Sequence, residues 1–130
     1  MLGDSVEQNR QKILAREGGV DDSASGRAME GKSGIEAKIR AAFPEEPEVA
    51  VAVSKAESGL NPNSINYSTM CIGLFQVRAL PNRPSVEELK NPDINIQFAR
   101  MLYDAAKKRT GNGWSTDWSA YTNKSYLRYL

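Results

Sequence analysis

AESGLNP, residues 56–62, closes the apolar run VAVAVSKA (49–56) with a carboxylate and then stops the helix at once. Gly59 is a natural left-handed C-cap, and Pro62 prevents continuation. Upstream, EEPEVAVAVSKAESG (45–59) reads as one helix, with Pro47 tolerated in the first turn and acidic residues where the helix dipole favours them. On a helical wheel Val49, Val53 and Ala56 define the buried direction, while Glu48 and Lys55 lie roughly opposite. Glu57 follows Val49 and Val53 at spacings of four, so its carboxyl projects from the edge of the apolar face. Desolvation and the negative end of the helix both disfavour the ionised form, which raises the pKa of such an acid unless a cation sits beside it. A glutamic acid still protonated near neutral pH is what general-acid catalysis at an ether oxygen requires. A solvated or capping glutamate fits the same spacing, so geometry alone leaves both roles open.

Outward from this helix, Ser33 and Glu36 have capping-box spacing ahead of IEAKIRAAF (35–43), whose Ile35, Ile39, Ala42 and Phe43 share a face before Pro44 ends the run. Residues 60–84 show no sustained period and carry Asn, Gly, Ser and Pro, which predicts a structured loop or a small strand-like element. Ser85 and Glu88 form another capping box. In NPDINIQFARMLYDAAKKR (91–109), Asn91 can cap, Pro92 takes the first helical position, and Ile94, Phe98, Met101, Leu102 and Ala105 make an apolar stripe. Lys107, Lys108 and Arg109 suit the C-terminal end of that helix. The expectation is a mainly α domain with an irregular or strand-like region forming a cleft, and an aromatic tail, GWSTDWSAYTNKSYLRYL (113–130).

With 130 residues the chain has room for one domain and an appendage. The appendage is an N-terminal arm and linker at 1–33, because GGVDDSASGRAMEGKSG (18–34) is rich in Gly and Ser, and the domain occupies 34–130. A net charge of +1 speaks against nucleic-acid binding. The chain has one cysteine, Cys71, and no histidine, which excludes an internal disulfide, a Cys/His zinc site and His-dependent nucleophilic triads. No metal or cofactor is expected, and no stretch approaches the roughly 20 apolar residues of a membrane span. No signal peptide is read at the N-terminus.

AESGLNPNSIN (56–66), GLFQV (73–77), NPDINIQFARMLY (91–103) and WSAY (118–121), in that order, resemble the lytic transglycosylase and goose-type lysozyme group, which cleaves bacterial peptidoglycan. The resemblance covers about residues 35 to 130. It implies a lysozyme-like fold, with Glu57 in the Glu-Ser motif as catalytic acid and Ser58 beside it among the substrate-binding residues. It also implies that Gly73, Leu74, Phe75 and Gln76 line the sugar groove, with Gln76 as the polar contact, and that Tyr121 points its hydroxyl at the acid. Asn91, Asn95 and Ile96 would begin a core helix behind the cleft. Asn66 stands where many members have serine and could donate to a sugar carbonyl. Arg78 replaces a usual methionine, and AYTNKS (120–125) lacks a glycine common at that point. Tyr67, beside Asn66, is a sugar platform or a loop anchor. Trp114, Trp118, Tyr126 and Tyr129 suit packing better than sugar stacking.

Most glycosidases use two carboxylates, and this sequence offers no evident second one; Asp117 is the only candidate near the aromatic tail. The resemblance therefore implies a transglycosylase scheme in which Glu57 is acid and then base, the substrate's N-acetyl group assists, and a 1,6-anhydromuramyl end forms. A hydrolytic muramidase of the same fold and a non-catalytic glycan-binding or virion structural protein are the alternatives. The expected partner is the peptidoglycan strand at the bacterial cell wall, with the arm linking the chain to a larger assembly of phage, mobile-element or secretion origin.

Overall fold

The computed structural model describes residues 31–130, so the arm lies outside the described residues except for its end. Helix α1 (Lys32–Ala42) is entered from an extended Gly31 with no side-chain cap. The Ser33–Glu36 capping box is therefore not formed, and residues 32 and 33 belong to the helix rather than to the linker. Glu36 is drawn instead toward Arg40 at 3.7 Å and Lys55 at 3.9 Å.

Helix α2 (Pro47–Ser58) starts with Pro47 at its first position and ends at Gly59, whose φ of 65° is the left-handed conformation expected of it. All five residues from Ala50 to Ser54 are buried, while Val49 and Ala56 are half-buried. The one-sided stripe drawn from the sequence thus becomes a helix covered all round. α1 packs on one side, and the tail packs on another through α5 (Ser119–Thr122) and the 3-10 helix Ser125–Tyr129.

Residues 60–84 hold the strand-like element as a three-stranded antiparallel sheet of β1 (Ile65–Asn66), β2 (Cys71–Ile72) and β3 (Val77–Arg78). Its register places Asn66 opposite Cys71 and Cys71 opposite Arg78. Short α3 (Val86–Leu89) carries the expected capping box, Ser85 and Glu88 exchanging bonds of 2.8 and 3.2 Å.

The long helix α4 (Pro92–Thr110) is capped by the Asn91 side chain and ends at Gly111. It buries Ile94, Asn95, Ile96, Phe98, Ala99, Tyr103 and Ala106. Met101, Leu102 and Ala105 are only half-buried, so the inward face is rotated from the predicted stripe. A count of apolar residues missed this because one of the most buried side chains on that face, Asn95, is polar.

Phe43, Phe75, Tyr103, Trp114 and Trp118 pack ring against ring with centroids 4.9 to 6.3 Å apart. Such pairs contribute about 0.5–1.5 kcal/mol each beyond the area they bury. Both tryptophans therefore serve the core. On its rim Arg100 grips Glu45 with two bonds of 2.6 and 2.7 Å and lies 5.0 Å over the Tyr103 ring.

Candidate active site

Glu57 sits in the last turn of α2, half-buried, one residue before the helix ends. Burial pushes its carboxyl above the usual carboxylate range, and a hydrogen bond partly opposes that shift. The bond comes from the backbone N–H of Ala120, 3.1 Å from Oε2. No other ionisable group among the described residues is a source of the shift. The acid is thus desolvated, held by one neutral donor, and has no second carboxylate to share its proton with.

Tyr121 does not make the bond expected of it. Its hydroxyl accepts from Asn112 Nδ2 at 3.2 Å, and its ring stacks on Tyr126 at 4.8 Å. The adjacent main-chain amide holds the acid instead. The α5 segment is positioned by Trp118, whose buried indole N–H donates to the Phe75 carbonyl at 2.8 Å.

Ser58 is also corrected. Its hydroxyl donates to the Leu74 carbonyl at 2.8 Å, and Ser54, four residues earlier, donates to the same oxygen at 2.8 Å. The two serines lock the end of α2 onto the 73–76 turn rather than facing a sugar.

That turn is built with little freedom. Gly73 has φ of 76°, and a Cβ there would stand 2.5 Å from Asn95 Nδ2 and 2.6 Å from the Leu89 carbonyl, so only glycine fits. Asn95 accepts from the Phe75 N–H at 2.9 Å and donates to the carbonyls of Ile72 and Leu89 at 2.8 and 2.9 Å. Both N–H donors of this fully buried amide and one lone pair of its oxygen are used. Gly73 is buried and has no side chain, and the buried side chains of Leu74 and Phe75 do not line a groove; Phe75 belongs to the aromatic core. Gln76, at φ 49°, folds its amide back onto the carbonyls of Gly73 and Ser64 at 3.0 and 3.2 Å.

Asn66, Tyr67 and Arg78 are exposed. The Asn66 amide oxygen accepts from both the N–H and the hydroxyl of Ser68, a local turn that fixes its direction. Tyr67 is 77% exposed, with its ring open to solvent. Asp117 is not among the groups that shift Glu57. Cys71 is half-buried and lines a cavity with Gln76 and Arg78.

Sequence reasoning passed over Ser54, Asn112 and the Ala120 amide. The Ser54–Ser58 spacing of four was a readable sign that two hydroxyls share one helical face. A backbone donor leaves no mark in a sequence.

A mainly helical domain with a small antiparallel sheet is the architecture of a lysozyme-like fold. The profile of the Transglycosylase SLT domain matches residues 35–124, and the chain belongs to that family. It is a peptidoglycan lytic transglycosylase, a lyase of the cell wall. No solved structure matched the chain. Among the described residues no helix is long and apolar enough to cross a membrane.

Proposed function

We propose that Glu57 alone supplies the acid and base of the reaction, cleaving the β-1,4 bond between N-acetylmuramic acid and N-acetylglucosamine and leaving a 1,6-anhydromuramyl end. The single observation that carries this is the desolvated carboxyl of Glu57, held by one amide donor and, among the described residues, shifted by no second acid. Its proton passes to the bridging oxygen as the bond to C1 breaks, and the N-acetyl carbonyl of the substrate stabilises C1. The carboxylate so formed is held by the Ala120 N–H, a charge-assisted bond of about 1.5–3 kcal/mol. It then takes the proton of the C6 hydroxyl as that oxygen bonds to C1. The proton on Glu57 is restored, and no water is consumed.

In this scheme Asn66, Tyr67, Gln76 and Arg78 contact the glycan, while Gly73, Phe75 and Ser58 act by holding the turn and the helix end in register. Tyr121 acts through the placement of its segment. The residues ahead of α1 tether the enzyme to a larger phage, mobile-element or secretion assembly, and equal elution of full-length and arm-deleted chains with candidate partners would end that idea.

Glu57→Gln tests the core of the scheme. It should abolish turbidity clearance of cell walls, and mass spectrometry of wild-type digests should show ends lighter by one water than reducing ends. Clearance unchanged in the variant removes Glu57 from the chemistry; reducing ends indicate a hydrolytic muramidase.

A further inference from the structure

The turn that presents the Ala120 N–H to Glu57 is too short to hold itself. α5 (Ser119–Thr122) is one helical turn with no side-chain cap at its start, and a lone turn of helix has no stability of its own in water. The aim of that N–H is therefore set by what grips the segment from outside. Trp118 grips it on the near side, through the bond from its indole to the Phe75 carbonyl. From beyond the tail, among the described residues, only two side chains bond to residues 119–122: Glu57 to Ala120, and Asn112 to Tyr121. These two bonds fall on adjacent residues, so a shift of Tyr121 is also a shift of Ala120.

Asn112 is a fixed post. It follows Gly111, which ends α4 at a φ of 86°. Its N–H donates to the Thr110 hydroxyl at 3.1 Å, and its carbonyl accepts from the Ser115 hydroxyl at 3.2 Å. Its Oδ1 accepts from the Trp114 N–H at 2.9 Å. A backbone N–H needs an acceptor, so the amide oxygen is committed to Trp114, and that commitment turns Nδ2 toward the Tyr121 hydroxyl, 3.2 Å away. Trp114 is fully buried in the aromatic core, so the post is rooted in the core while its other end holds the tail. The stack of Tyr121 on Tyr126, with rings 4.8 Å apart and 17° from parallel, restrains the tilt of the Tyr121 ring but not its slide within its plane. The bond from Asn112 fixes that remaining freedom.

We propose that Asn112 is a positioning residue of the reaction: through Tyr121 it keeps the Ala120 N–H aimed at the Glu57 carboxyl. The inference rests on the acid and base role proposed above for Glu57. As the proton leaves Glu57 its carboxyl gains negative charge, and a donor already in place stabilises that charge without rearrangement. Loss of the Asn112 tie lets the donor move away, so the ionised carboxyl is less favoured. The cost falls on the transition state rather than on the binding of the sugar.

Asn112→Ala, Tyr121→Phe and Asn112→Asp, each made in the full chain, test this. With soluble glycan strands as substrate, Asn112→Ala and Tyr121→Phe should each lower kcat about ten-fold and leave KM within about two-fold. Carbon NMR titration of the Glu57 carboxyl should place its midpoint at higher pH in both variants than in the wild type. Asn112→Asp keeps the acceptor for Trp114 and accepts from the Tyr121 hydroxyl, which restores the tie with its direction reversed. It should therefore be faster than the double variant Asn112→Asp/Tyr121→Phe, which carries the same charge without the bond. Tyr121→Phe removes only a hydroxyl, so it decides the question even if Asn112→Ala fails to fold. A Tyr121→Phe variant with the wild-type kcat or the wild-type Glu57 titration, or equal rates in the Asn112→Asp single and double variants, overturns the proposal. A Glu57→Gln variant that still clears cell walls refutes the catalytic scheme instead, and the Glu57 titration then still decides whether Asn112 places the amide.

Discussion

Replacing Asn95 with alanine tests how much of the turn beside the Glu57 helix rests on one amide. Three bonds of 2.8 to 2.9 Å disappear, and the Phe75 N–H and the carbonyls of Ile72 and Leu89 lose their partner in a site closed to water. At about 1–1.5 kcal/mol per bond, with the void left by the amide added, the loss is about 4 kcal/mol. In a domain of this size that lowers Tm by about 20 °C. Urea unfolding followed by tryptophan fluorescence is a direct assay, because Trp114 and Trp118 are both buried. Asn95→Asp sharpens the test. At neutral pH it keeps the acceptor for Phe75 but sets a carboxylate against two carbonyl oxygens. Its folded-state pKa is then raised, so stability is regained in acid and lost as pH rises through that value. A loss under about 1.5 kcal/mol for Asn95→Ala, or a pH-independent Asn95→Asp, would refute the assignment of this amide as the tie of the turn.

Burial raises the Glu57 pKa, so activity should decline along an alkaline limb lying above the ordinary value of 4.5. The folded state keeps this proton longer than the unfolded chain, so the associated stability is full below 4.5 and fades as pH rises; Glu57→Gln should flatten that slope in denaturation curves while lysis falls about 10²–10⁴-fold. Trp118→Phe leaves the buried Phe75 carbonyl without its donor, for about 1–3 kcal/mol, and by shifting the Ala120 amide it should lower kcat more than it changes KM. Arg100 holds the Glu45 carboxyl down to about 2, a contribution present above the ordinary carboxylate value and lost as pH falls toward 2. The stability gap between wild type and Arg100→Met, measured by acid titration, should close over that window.

Helix limits were legible wherever a local rule was enough: Pro47 and Gly59 bounded α2, Ser85 and Glu88 capped α3, and Asn91 opened α4. Failures came where tertiary partners decide. The α2 stripe was drawn as one-sided because nothing local says that residues 119–129 return to cover its other side. The α4 face was misaimed because a polar residue was not credited with burial. At the site the half-burial of Glu57 was legible from its spacing, yet Phe75, Ser58 and Tyr121 were assigned to sugar or acid when their polar or aromatic groups are spent on protein partners.

The donor that steadies Glu57 belongs to the main chain, and that has an evolutionary consequence. That N–H does not depend on the chemistry of a side chain, so any residue other than proline that fits the buried space of Ala120 keeps it, and drift at the exposed neighbours need not disturb the bond. The exposed side chains of the AYTNKS tail (120–125) can therefore vary without loss of that bond.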